Sequence, residues 1–277
     1  MKSGWITYII IASVVQVRAQ AVEPIDPHSI IQASIQQSRA VNSAAYTLEN
    51  TERIDGKWLS GTQEIRYRNQ PLQVCMNFVH PAPGTMVTFD EIVDPERLVY
   101  DPAGFPFMKI DLDPMGSMAR NSNHHTIYET GFDHFAELIA TMYDQHEAMS
   151  LKENPHSSAY RLQLIASDQT TEYVVNADES TRSLAKRIGV SEYRIVELNE
   201  KVKGYGELKE GLTLRLPIAY AHELIVEIDK RTLLPTTLTL NDELGMLAYY
   251  SIRDIELGVE VVTREMGKKA RYFEADE

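Results

Sequence analysis

Between Tyr173 and Pro217 the apolar pattern changes period twice, and this constrains the fold more than any other feature of the chain. Tyr173, Val174 and Val175 are strand formers. In the polar loop that follows, the oxygen of Asp178 or Ser180 suits a helix N-cap. Leu184, Ala185 and Ile188 then recur at helical spacing, and Gly189 stands where that helix stops. A second helix opens near Ser191, with Ile195, Val196 and Leu198 on its apolar side. Past another polar loop, Gly211 turns the chain into Leu212, Leu214 and Leu216, which alternate as a strand does until Pro217. The pattern predicts a strand–helix–helix–strand unit whose paired strands bring its two ends together.

On either side of this unit the chain reads as strands with short turns. An amphipathic helix with Ile30, Ile31 and Ile35 comes first, over residues 26–40. Strands over 45–54 and 57–68 flank Asp55-Gly56, a short hairpin signal. Further strands are expected over 72–79, 85–93, 97–100 and 107–112. One long helix, over 131–149, carries the stripe Phe132, Phe135, Leu138, Ile139 and Met142. Strands resume over 160–165, and again after the unit at Leu224, Val226 and Ile228, at Leu238 and Leu240, and over 246–252. Short turns between successive strands predict an antiparallel sheet and an α+β fold. The unit therefore interrupts one sheet: residues 22–169 and 218–277 form a discontinuous host and 173–217 an insert.

With 277 residues, 43% of them hydrophobic, the chain can bury one large or two modest cores. Its net charge of −13 excludes nucleic acid and anionic membrane surfaces as partners. The insert is different, with eight basic against seven acidic side chains, a composition shift that marks a boundary. Residues 1–21 read as a signal peptide: Lys2, an apolar core over 5–17 too short to span a bilayer, then Ala19-Gln20-Ala21. The expected location is periplasmic, with no transmembrane segment once the signal is removed. Cys75 is the only cysteine, so no intrachain disulfide forms, and its neighbours Val74 and Met76 predict a packed, inert thiol.

Neither a His-Glu-x-x-His run nor a Gly-x-Ser-x-Gly elbow occurs. No catalytic residue is assigned, no cofactor is expected, and the chain is read as a binding protein rather than an enzyme. The segment 121–134 is the best chemical candidate, with His124, His125, Glu129, Asp133 and His134. These are metal-ligand types, and a metal-dependent wall hydrolase is the alternative they raise. The plainer reading is a loop at a helix start, with Asp133 complementing the helix N-terminus and Gly131 making a turn. Arg66 and Arg68 alternate with Ile65 and Tyr67, so both face one side of a strand. They are read either as a solvated or paired sheet face or as an anion clamp.

The whole of 173–217 resembles a LysM module. Tyr173-x-Val175, Ser183-Leu184-Ala185-x-Arg187-x-Gly189-Val190-Ser191, Leu198-Asn199, Leu208-x-x-Gly211-x-x-Leu214 and Leu216-Pro217 stand in order. The usual Gly-Asp-Thr or Gly-Glu-Thr of the first loop is here Ala177-Asp178-Glu179-Ser180, a departure that bears on glycan affinity rather than on fold. The resemblance implies binding of peptidoglycan or another N-acetylglucosamine-containing glycan between the first loop and the loop before the last strand. The residues implied are Asp178, Glu179, Ser180, Thr181, Asn199, Lys203, Gly204 and Tyr205, with Tyr205 packing on a sugar face. For Asn199 a plainer reading, tying the second helix to its loop, stands beside this one. The host resembles the LolA-like fold, a half-open antiparallel barrel with helices in its mouth. The carrying residues are Glu52-Arg53-x-Asp55-Gly56, Ile65-Arg66, Pro71, Val74, His125-x-Ile127-x-Glu129-x-Gly131, Val226-x-Ile228-Asp229-x-x-Thr232-x-Leu234-Pro235 and Asp242-x-x-Gly245. That resemblance implies a cavity for lipid or for lipoprotein acyl chains. A purely structural, wall-associated protein with a filled barrel is the remaining alternative.

Overall fold

The computed structural model describes residues 26–261 except 106, 121, 122, 153 and 155. The signal-peptide segment, 1–21, lies outside the described residues. The chain runs through α1 (Pro27–Arg39), β1 (Ser43–Ile54), β2 (Lys57–Arg68), β3 (Gln73–His80), β4 (Met86–Asp90), β5 (Leu98–Asp101), β6 (Ile110–Leu112), α2 (Ser117–Arg120) and, after a 3-10 turn (Ile127–Glu129), α3 (Phe132–Gln145). It continues through β7 (Ala148–Lys152), β8 (Ala159–Ile165), β9 (Thr170–Val174), α4 (Thr181–Ile188), α5 (Glu192–Glu197), β10 (Thr213–Pro217), β11 (Glu223–Asp229), β12 (Pro235–Asp242) and β13 (Gly245–Leu257). Eleven strands form one sheet in the order β6-β5-β4-β3-β2-β1-β13-β12-β11-β8-β7, with every neighbouring pair antiparallel. Among the described residues its ends, β6 and β7, are not paired to each other, so the sheet is open. Among the described residues no helix is long and apolar enough to cross a membrane.

Local chemistry sets these elements. The Asp26 carboxylate accepts the His28 and Ser29 N–H groups at 3.1 Å each and Pro27 opens α1, so the helix starts where its donors are satisfied. Asp55 and Gly56, both at positive φ, make the tight turn that holds β1 and β2 in register over their whole length. The stripe of α3 packs with Ile30, Ile31 and Ile35 of α1 onto one face of the sheet, against Tyr46, Ile65, Tyr67, Leu164, Val226 and Leu240. The opposite face carries the alternate residues, Arg66 and Arg68 among them. Cys75 is buried there, and burial pushes its thiol up to about 12.

Three expectations are corrected. The long helix stops at Gln145, because His146 is extended and the apolar period falls to two. Residues 148–152 then form β7 against β8, with Met149 and Leu151 half-buried. The strand expected over 85–93 closes at Asp90, whose carboxylate accepts the Ile92 and Val93 N–H groups and bends the chain. The strand expected over 107–112 begins only at Ile110, where pairing with β5 starts; the four-residue α2, too short to show a period, answers to no expectation.

The insert folds as strand, helix, helix, strand. β9 pairs with β10 from Thr170↔Pro217 to Val174↔Thr213, which closes the unit on itself. Its ends return to β8 and β11, themselves paired from Ile165↔Glu223 to Ala159↔Asp229. Val175, Leu184, Ala185, Val190, Ile195, Leu214 and Leu216 form a small separate core. Tyr193 of α5 belongs to the host core instead.

Candidate functional site

Glu52 and Arg53, at the end of β1, lie at the seam between host and insert. Glu52 is buried, and its carboxylate accepts the Tyr250 hydroxyl at 2.6 Å and the His124 N–H at 2.9 Å. His125 Nε2 lies 3.1 Å from that hydroxyl. Since Tyr250 donates to Glu52, His125 donates to Tyr250. His134 packs edge-on against His125, ring centres 4.3 Å apart. The His124 ring lies 2.8 Å from the Arg53 carbonyl through Nε2 and stacks on Tyr193 at 4.3 Å. Glu129 turns back to accept the Thr126 N–H and hydroxyl at 2.7 and 3.0 Å, fixing the 3-10 turn.

Gly131, at φ 97, then starts α3, and a side chain there would meet the Tyr67 ring at 2.4 Å. Gly131 takes the N-cap position of α3, and Asp133 sits in its first turn. Burial holds His134 below, and His125 well below, the ordinary imidazole range, so both are neutral at neutral pH. The candidate ligands do not converge on one point: His124 is held by the Arg53 carbonyl, His125 by Tyr250 and Glu129 by Thr126, while His134 packs on the His125 ring. Among the described residues no three His, Cys, Asp or Glu side chains are placed to hold a metal ion.

Arg53 joins a buried ion cluster. It binds Asp242 and Glu197, while Arg194 of α5 binds Asp242, Glu197 and Glu243. Arg120 of α2 pairs with Glu192 of the insert at 2.7 Å and lies 3.6 Å over the Tyr205 ring. Gln145 donates to the Gly189 carbonyl and accepts the Tyr220 N–H, both at 2.8 Å. Glu52, Arg53, Asp242, Gly131 and Glu129 stood in the sequence pattern that carried the host resemblance. Arg120, Tyr193, Arg194 and Tyr220 gave no such signal.

The two loops of the insert are joined by the Thr181 N–H to Gly206 and Leu208 N–H to Glu179 bonds, both 2.8 Å. Glu179 is buried and holds Tyr173, Asn176 and Arg187. Ser180 caps α4 through the Ser183 N–H at 3.0 Å, and Thr181 bonds Glu192 at 2.6 Å. Asn199 ties α5 to β10, donating to the Ile195 and Arg215 carbonyls and accepting the Arg215 N–H, each at 2.8 Å. One face of Tyr205 is covered by Arg120. Asp178 and Lys203 are exposed, and Gly204 is half-buried between Lys203 and Tyr205.

Two open features bear on ligand binding. A cleft of about 950 Å³ lies between α3 with the histidine segment and α4 with the start of α5. The second is apolar. The core face of β2–β6 runs from buried Tyr67, Val74, Phe89 and Leu98 to half-buried Met76, Phe78, Val87, Tyr100 and Ile110, which are aligned across neighbouring strands. The loop joining β5 to β6 at that end carries Phe105, Phe107 and Met108, which are 86%, 80% and 64% exposed.

An open antiparallel sheet with helices on one face and a βααβ unit fastened at its seam defines the class of protein. The chain belongs to the family described as Protein of unknown function (DUF1571), whose model matches residues 41–188 and so runs from β1 through α4. No curated protein matches it by sequence. Among solved structures it is similar to the lipoprotein LppX of Mycobacterium tuberculosis, at 8% identity and TM-score 0.42 over 86% of this chain and 100% of that one. It is also similar to LprF of Mycobacterium bovis, at 10% identity and TM-score 0.42 over 85% and 94%. An uncharacterised conserved protein of Thermus thermophilus gives 10% identity and TM-score 0.38 over 85% and 90%.

Proposed function

We propose that this is a secreted, non-enzymatic envelope protein that holds a hydrophobic ligand, such as a lipid or a lipoprotein acyl chain, on the host sheet. Its LysM-like insert places it on an N-acetylglucosamine-containing glycan such as peptidoglycan. The observation that carries the ligand reading is the half-buried end of the core face, from Met76 to Ile110, beside the exposed Phe105, Phe107 and Met108. Fully burying side chains of this size contributes about 1.5–3 kcal/mol each, enough to hold an acyl chain laid along them. His124, His125 and Glu129 support binding over hydrolysis, since each is spent on a partner outside a shared site: the Arg53 carbonyl, Tyr250 and Thr126.

For the glycan reading, the support is the pair of hydrogen-bonded loops, which offers Asp178, Ser180, Lys203 and Gly204 along one edge. Deleting the insert is a poor test, because it would strip Arg53 and Asp242 of buried partners. Point variants serve better. Phe78→Asp and Tyr100→Asp should each weaken binding of a fluorescent fatty acid by about tenfold or more, the cost of a charge in an apolar site. Unchanged fatty-acid affinity in both variants would sink the host reading. Lys203→Glu with Asp178→Lys should reduce pelleting with insoluble peptidoglycan, and equal pelleting would remove the glycan reading alone.

A further inference from the structure

The cleft at the seam is a different surface from the apolar wing and from the exposed edge of the insert loops. One wall belongs to the host and carries Asp133 and Glu137 of α3; the other belongs to the insert and carries Arg182 and Lys186 of α4. Glu137 is answered by Arg39 at 2.8 Å, and Arg182 lies 3.9 Å from Glu129 and 4.0 Å from Glu192. Among the described residues Asp133 and Lys186 have no ion-pair partner. Burial and the neighbouring Glu137 raise the Asp133 carboxyl above its ordinary range, against the weaker pull of Arg39, whose guanidinium is paired to Glu137. Leu138, Ala185 and Val190 back the cleft from within the two cores and are almost fully buried.

We propose that this cleft binds a short peptide bearing both ammonium and carboxylate groups, the ammonium against Asp133 and Glu137 and the carboxylate against Lys186 and Arg182. A neutral sugar would leave both unpaired charges unanswered. An acyl chain would desolvate them at a cost of several kcal/mol. A zwitterionic peptide answers both. The volume lies at the upper end of the 300–1,000 Å³ range of ligand sites, enough for a few residues. Peptides of this chemistry occur free and as the peptide part of wall fragments.

The test is calorimetric titration of the full chain with four probes. These are a lysine-containing tetrapeptide with free ends, the same peptide with its amines acetylated and carboxylates amidated, a soluble disaccharide-peptide from wall digestion, and peptide-free chitotetraose. The free tetrapeptide or the disaccharide-peptide should bind, with the blocked peptide weaker by about tenfold or more. Asp133→Asn and Lys186→Gln, both at the cleft surface, should each weaken the bound probe about tenfold while leaving the circular dichroism spectrum unchanged. Tighter binding of the disaccharide-peptide identifies wall fragments as the source, and equal binding identifies free peptide. Silence of both peptide probes, binding by chitotetraose alone, or affinity indifferent to blocking and to both variants would overturn the proposal.

Discussion

At the scale of single residues, the seam is made by polar groups whose positions leave little freedom. His125 and His134 are neutral because burial disfavours their charged forms. In the unfolded chain they titrate near 6.5, so below that pH the unfolded state binds more protons than the native one. Stability therefore rises with pH through this window and is lost as pH falls below 6.5. Urea denaturation at a series of pH values should show that slope, and His125→Gln with His134→Gln should flatten it between pH 6.5 and 5. An unaltered slope would show that the imidazoles are not the groups responsible. The sequence made residues 121–134 legible as a chemical cluster. It did not show that the cluster's partners are Glu52 and Tyr250, because residues so far apart meet only in the folded sheet.

At the scale of elements, legibility followed period and length. The Asp55-Gly56 hairpin, α1, the stripe of α3 and the insert's strands and helices all carry repeated apolar positions, which is why they could be placed. β7 was read as the end of α3, since Met149 continues a helical stripe and only the pairing with β8 gives it a strand partner. The insert has a core of its own and also rests on the host. Leu184 is fully buried in that small core, so Leu184→Ala should cost about 2–5 kcal/mol, read as a fall in the urea midpoint at constant slope. A cost below about 1 kcal/mol would mean that the insert core adds little to the stability of the whole.

At the scale of the molecule, the insert is welded to the sheet rather than hung from it. Arg53 and Asp242 of the host alternate in one buried ion cluster with Arg194 and Glu197 of the insert. Host and insert should unfold in one calorimetric transition. Arg53→Met, which leaves carboxylates of the cluster short of a cation, should lower the stability of the whole by about 3–5 kcal/mol. Two resolved transitions in the parent chain would contradict the weld.

By itself the sequence determined the elements and their order: an antiparallel sheet, two main helices on its core face, and a strand–helix–helix–strand unit set into it. Such features are written in local period, turn chemistry and caps, which act between near neighbours in the chain. Only the tertiary structure decided that Tyr205 lies beneath Arg120 and that Asn199 is spent on backbone. It also decided that the histidines face Glu52 and Tyr250, and that a charged cleft opens between α3 and α4. These depend on how two separate cores are docked, and docking is fixed by buried charges that pair across more than a hundred residues, such as Arg53 of the host with Glu197 of the insert.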